Sequence, residues 1–193
     1  MTMQTNLLWT GREYHSMENC LVNTGDTGSE IKSVIVGTYE GIIYKVEYTI
    51  RTNRDWMTLF CEVNSQHSDR IEHILLESDG RGNWLMHAKE VKQFKGCMDV
   101  DIPLTPFTNT LPINRLGLEP GAGQQIGVIY IDILGGQIRA VNQKYLRRSD
   151  KIYHYENVPN DFEANIEVDD LGLVVDYPAL FVRSAKLETR YPH

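Results

Sequence analysis

Between Tyr44 and Arg51 the chain alternates without a fault. Tyr44, Val46, Tyr48 and Ile50 fall on one side, and Lys45, Glu47, Thr49 and Arg51 on the other. A period of two is what a strand needs when one face is buried and the other is wet, and no helix can accommodate it. Thr52-Asn-Arg-Asp55 then turns the chain, and Met57, Leu59, Cys61 and Val63 repeat the period, so a hairpin is expected.

Further strands are expected at 7–10, 14–24, 31–39 and 71–77. Asp79-Gly-Arg-Gly-Asn83 is a hairpin signal returning into Trp84 to Ala88. Lys89 to Lys95 reads as a short helical or irregular bridge. Cys97 to Ile102 is extended, and Pro103, Pro106 and Pro112 then remove backbone donors, so an ordered loop is expected, with extended chain resuming at Leu116 to Leu118. Ile126 to Leu134 is apolar on both faces, as in a covered central strand, and Gly135-Gly136 reads as a two-residue turn into Ile138 to Leu146. Short strands are expected at 153–158, 162–168, 173–175 and 180–182.

No window longer than about twelve residues places apolar positions at helical spacing. The expected class is therefore all-β: a large, mainly antiparallel sheet curled into a barrel, half-barrel or cornered sheet, with few short helices. Residues 1–185 read as a single β-rich domain, and 186–193 as a C-terminal tail. Asp99-Val-Asp-Ile-Pro103 and Glu167-Val-Asp-Asp170 with Pro178 echo one another faintly, which would suit two similar halves.

Composition excludes some partners. The net charge is −7 and the 19 basic residues are scattered, which leaves no surface for nucleic acid. No apolar run approaches a membrane span, the opening Met-Thr-Met-Gln-Thr-Asn lacks the pattern of a secretory signal, and a cytoplasmic location is expected. Cys20, Cys61 and Cys97 have no metal-ligand spacing and suit a reducing compartment as packing residues. The six histidines form no zinc motif. No metal or cofactor is expected, nor does any nucleotide-binding or nucleophile-elbow pattern occur. The oligomeric state is left open.

The densest polar stretch is Cys97 to Leu116. On a strand Asp99 and Asp101 share a face about 7 Å apart. Such a pair suits acid–base catalysis, a hard cation, or a grip on sugar hydroxyls or on an arginine; the structural alternative has both carboxylates accepting bonds from the proline-rich loop or from Arg115. Thr105, Thr108, Asn109 and Thr110 offer further polar groups either to their own loop or to a ligand. Arg115 could pair with Asp101 or bind an anionic head group. Trp9, Trp56 and Trp84 read as core lids or as stacking platforms.

Gly96-Cys-Met-Asp-Val-Asp101, Thr105-Pro-Phe-Thr-Asn-Thr-Leu-Pro-Ile113 with Arg115-Leu116, and Val168-Asp-Asp-Leu-Gly-Leu-Val-Val-Asp-Tyr-Pro178 together resemble the bacterial putative glycolipid-binding family, formerly a domain of unknown function. Trp9, Glu18, Trp56, Trp84 and Gln143-Lys-Tyr145 fall where that family has matching residues, whereas Asn114 stands where it often has a basic one. The resemblance implies a β-rich fold with a cavity, comparable to bacterial lipoprotein-carrier folds, that holds a glycolipid or other amphiphilic small molecule. It implies no catalytic residues. The expected ligand-binding set is Asp99, Asp101, Thr108, Asn109, Arg115, Asp169, Tyr177 and Trp84. The alternatives are a hydrolase of glycosidic or ester bonds using Asp99 with Asp101 or Asp101 with Asp169, and a structural or interaction domain. In every case the segments around Asp99 and Val168 should lie together.

Overall fold

The computed structural model of the protein describes residues 2–191. Its first arm is a meander: β1 (Thr2–Gly11), β2 (Ser16–Gly25), β3 (Gly28–Tyr39), β4 (Ile42–Asn53), β5 (Thr58–His67), β6 (Arg70–Ser78), β7 (Trp84–Met86) and β8 (Lys89–Glu90). The second arm comprises β9 (Asp99–Asp101), a helix α1 (Phe107–Leu116), β10 (Gly123–Asp132), β11 (Gln137–Arg147), β12 (Ile152–Val158), β13 (Glu163–Val168), β14 (Val174–Tyr177) and β15 (Phe181–Tyr191). All fifteen strands belong to one sheet, with β8 and β9 at its edges and the two arms joined by antiparallel pairing of β1 with β15.

The sheet is all-β in class and mostly antiparallel, but it does not close into a barrel. It curls: β9 returns near β5, and the 3-10 turn Lys92–Phe94 lies near β11. The alternation in β4 sets the inside, where Tyr44, Val46, Tyr48 and Ile50 are buried and Lys45, Glu47 and Arg51 are exposed. One core cluster gathers Trp9, Ile31, Ile50, Leu76, Trp84 and Phe107 from the first arm and α1, and another gathers Val128, Tyr145, Tyr155, Ile166 and Tyr177 from the second.

Three expectations change. Residues 107–116 form a helix rather than a loop, because β9 pairs parallel with β10 (Asp99 opposite Val128, Asp101 opposite Tyr130) and a parallel pair needs a crossover to bring the chain back to the same end. Pro106 sits at the helix start, where a missing N–H costs nothing, the Thr105 hydroxyl accepts from the Phe107 N–H, and Gly117, at φ 52°, ends the helix in the left-handed region. Pro112 lies inside the helix and gives up one backbone bond. Burial of the continuous run Phe107–Ile113 offsets that loss.

Residues 186–191 are not a tail but the outer half of β15, with Lys186 opposite Leu7 and Tyr191 opposite Thr2. The turn between β10 and β11 holds four residues, 133–136, and the Asp132 carboxylate accepts from the Gly135 N–H.

Candidate functional site

The polar stretch at 97–116 divides into a fold-holding half and an open half. Asp99, on β9, is completely buried, and Arg115 from the last turn of α1 grips it through Nε (3.0 and 3.1 Å) and a terminal nitrogen (2.6 Å). Burial raises the Asp99 pKa, and the guanidinium pulls the other way. Arg115 is thereby committed, and has no free fork for an anionic head group. It pairs with Asp99 rather than Asp101.

Asp101 is held differently. Its carboxylate accepts from the Thr108 hydroxyl (3.0 Å) and from the Gln143 side-chain amide (2.6 Å), both neutral donors. The network continues sideways, for Asn109 donates to the Tyr145 hydroxyl (2.9 Å), and Tyr145 donates in turn to Gln143. Burial pushes the Asp101 pKa up, and the two donors only partly counter it.

This network floors a cleft of about 170 Å³. Its walls are the rings of Tyr14, Tyr130, Tyr155, Phe162, Tyr177 and Phe181; Tyr14 stacks on Phe181 with centroids 5.9 Å apart, and the other contacting pairs meet edge-on or tilted at 6.1 to 6.3 Å. Asp101, Thr105, Asn109 and Glu13 supply polar groups, and no Lys, Arg or His is among the lining residues. The hydroxyls of Tyr14, Tyr130 and Tyr177 make no hydrogen bond among the described residues, whereas the Tyr155 hydroxyl donates to Asn157. Burial raises the phenols of Tyr130, to about 12, and of Tyr14 and Tyr177, so all three remain protonated donors near neutral pH.

Behind Thr105 lies a group that sequence reasoning left out of the site. Glu18, inward-facing on β2 and almost wholly buried, accepts on Oε1 from Ser33 (2.7 Å), Tyr48 (2.7 Å) and Thr105 (2.9 Å), while Oε2 has no partner. Burial lifts its pKa to about 7 against these three donors. The signal was present in the alternation: Ser16, Glu18, Cys20 and Val22 share a face, which puts a carboxylate into the buried register.

The other expected site residues lie elsewhere. Trp84 is buried in the first core and its indole donates to the Cys97 carbonyl (2.8 Å), so it presents no platform. Asp169 does not reach the cleft. It caps the 169–173 turn by accepting from the Leu171 and Leu173 N–H groups and pairs with Arg183 (2.6 Å) and Lys186 (2.7 Å). Burial, the largest single effect, raises its carboxyl, but these four donors together outweigh it and hold the pKa below the usual range. The segments around Asp99 and Val168 do meet: the Asn114 amide donates to the Leu171 carbonyl (3.0 Å), and Gly172, at φ 71°, passes so close beneath Asn114 that a Cβ would collide with it.

At the other end of β1 a second, more apolar cleft of about 270 Å³ is lined by Met3, Val22, Trp56, Leu171 and Leu173, with the unpartnered Thr5 hydroxyl. Trp9, fully buried on β1 and bonded through its indole to the Val174 carbonyl (2.9 Å), stands between the two ends. Among the described residues one group has metal-ligand composition, His154 with Glu156 and Glu163, but Lys144 already holds Glu156 (3.1 Å). No helix among them is long and apolar enough to cross a membrane.

The model of a family described as "Putative glycolipid-binding" matches residues 6–183. A solved DUF1089 family protein from Pseudomonas aeruginosa is 34% identical, with a TM-score of 0.79 over 86% of this chain and 91% of that one. A β-barrel-like protein of the DUF1849 domain of unknown function from Brucella abortus shares the fold at a TM-score of 0.54 and 9% identity, over 98% of each chain. Among curated protein sequences none is significantly similar to this one.

Proposed function

Because the chain belongs to the putative glycolipid-binding (DUF1089) family, we propose that it is a noncatalytic binding protein that receives the polar head of a glycolipid or similar amphiphile in the tyrosine-walled cleft. The observation that carries this reading is the set of three phenol hydroxyls, on Tyr14, Tyr130 and Tyr177, left without protein partners around Asp101 and Asn109. These hydroxyls open into the cleft, where a hydroxyl-bearing ligand offers the partners that the protein does not, while the ring faces suit the apolar face of a sugar. The cleft is smaller than the ~300–1,000 Å³ typical of sites for drug-sized ligands, so it suits a single ring rather than a whole lipid.

The hydrolase alternative loses its pairs. Asp99 is sealed and neutralised by Arg115, and Asp169 is paired with two cations away from the cleft, so neither stands beside Asp101 as acid or base. The structural alternative keeps one specific support: the Asp99–Arg115 pair serves the fold and not a ligand.

Native mass spectrometry of protein isolated from its own host, with a thermal-shift panel of glycolipids and alkyl glycosides, tests the reading. A copurifying amphiphile, or a rise in melting temperature that Tyr130→Ala removes, is expected. A clean apo mass together with a flat panel would contradict it.

A further inference from the structure

Three carboxylates mark this region, and two of them hold a cation: Asp99 holds Arg115, and Asp169 holds Arg183 and Lys186. Asp101 does not. Its partners are the Thr108 hydroxyl and the Gln143 amide, and none of the residues lining the cleft it faces is basic. A largely buried carboxylate with only neutral donors has no protein cation to compensate its charge, and a charge in a low-dielectric cleft attracts a counter-ion more strongly than one in water. Burial raises the phenols of Tyr14, Tyr130, Tyr155 and Tyr177, and the Asp101 charge adds to the rise in every one, so its field reaches rings on four separate elements.

The walls point the same way independently. Aromatic faces attract cations through their quadrupole, and the exposed Arg139 guanidinium already rests over Tyr130, 5.5 Å from the ring centroid. A cleft with a carboxylate that no cation holds, Glu13 also among its lining residues and six rings around it lacks one thing, a positive charge.

We propose that the cleft takes an organic ammonium group, carried on the ligand's head and seated between the Asp101 carboxylate and the tyrosine faces. This rests on the cleft being the head-group site, and it narrows that head to an amine-bearing one, such as an amino sugar or an alkanolamine.

Matched probes test it by protein-observed NMR: glucosamine against glucose and N-acetylglucosamine, and ethanolamine against ethylene glycol. The ammonium member of each set should bind at least about tenfold more tightly than its neutral partners. Asp101→Asn should cancel the preference while leaving the neutral probes' shifts in place, which also shows that the variant is folded. Tyr130→Leu, which leaves the Asp101 network intact, should reduce the preference, and Arg139→Ala should preserve or increase it. Equal affinities within each set, with shifts still in the cleft, would overturn the ammonium inference and leave the head-group reading standing. No shifts in the cleft from any probe would overturn both.

Discussion

Asp99 and Asp101 are two residues apart on one short strand and have opposite fates, decided by which donor reaches each. Removing a cation from a sealed pair leaves a buried charge, so Arg115→Ala should cost about 3–5 kcal/mol and lower the melting temperature sharply. Asp99→Asn combined with Arg115→Met should cost less than Arg115→Ala alone, since no unpaired charge remains. Unfolding in urea measures both, and a milder Arg115→Ala than double variant would contradict the pairing argument.

Glu18 makes a pH prediction of definite sign. Its folded pKa of about 7 lies above its ordinary value of 4.5, so the folded protein binds the extra proton. Its contribution is fully present below about pH 4.5 and is lost as pH rises to about 7, by an amount of order 3 kcal/mol. Glu18→Gln should flatten the fall in stability between pH 5 and about 8 relative to the parent. Identical slopes for the two proteins would rule the assignment out. The pair at 99 and 101 was visible in the sequence as a site of some kind, but its division was not, because Arg115 and Gln143 arrive from a helix and a strand whose placement no local pattern encodes.

At the scale of elements, the strands with one wet face were legible and the exceptions have mechanical causes. The alternation over 44–51 reads directly onto β4. The crossover helix was hidden by its prolines, since local propensity argues against a helix that tertiary burial supports. The outer end of β15 was hidden for another reason: its side chains are largely exposed, so its register is set by β1 rather than by an apolar stripe. Ending the chain at Ala185 removes the partners of Thr2 to Leu7 and the Lys186 contact to Asp169. Such a truncation should lower the melting temperature by roughly 2–4 °C for each 1 kcal/mol it removes. An unchanged melting temperature would mean that the segment behaves as a tail after all. Phe107→Ala, which empties the helix's buried first turn, should cost about 3–5 kcal/mol.

Over the whole molecule, the site is a product of the curl. Tyr14 comes from the β1–β2 turn, Tyr130 from β10, Tyr155 from β12 and Tyr177 from β14, and these residues are far apart in sequence. Asp101, Asn109 and Tyr177 could be named from the sequence as part of a polar site, but the aromatic walls could not, since they form only when both arms wrap inward. The same curl places α1 and the core side chains in the trough, and the two clefts share no lining residue.

The most direct test of the head-group site is an NMR titration with a short-chain alkyl glycoside kept below its micelle concentration. Saturable shifts at Tyr14, Asn109, Tyr130 and Tyr177, lost in Tyr130→Ala, are the predicted result. Shifts confined to Trp56, Leu171 and Leu173 at the second cleft, or none at all, would contradict it.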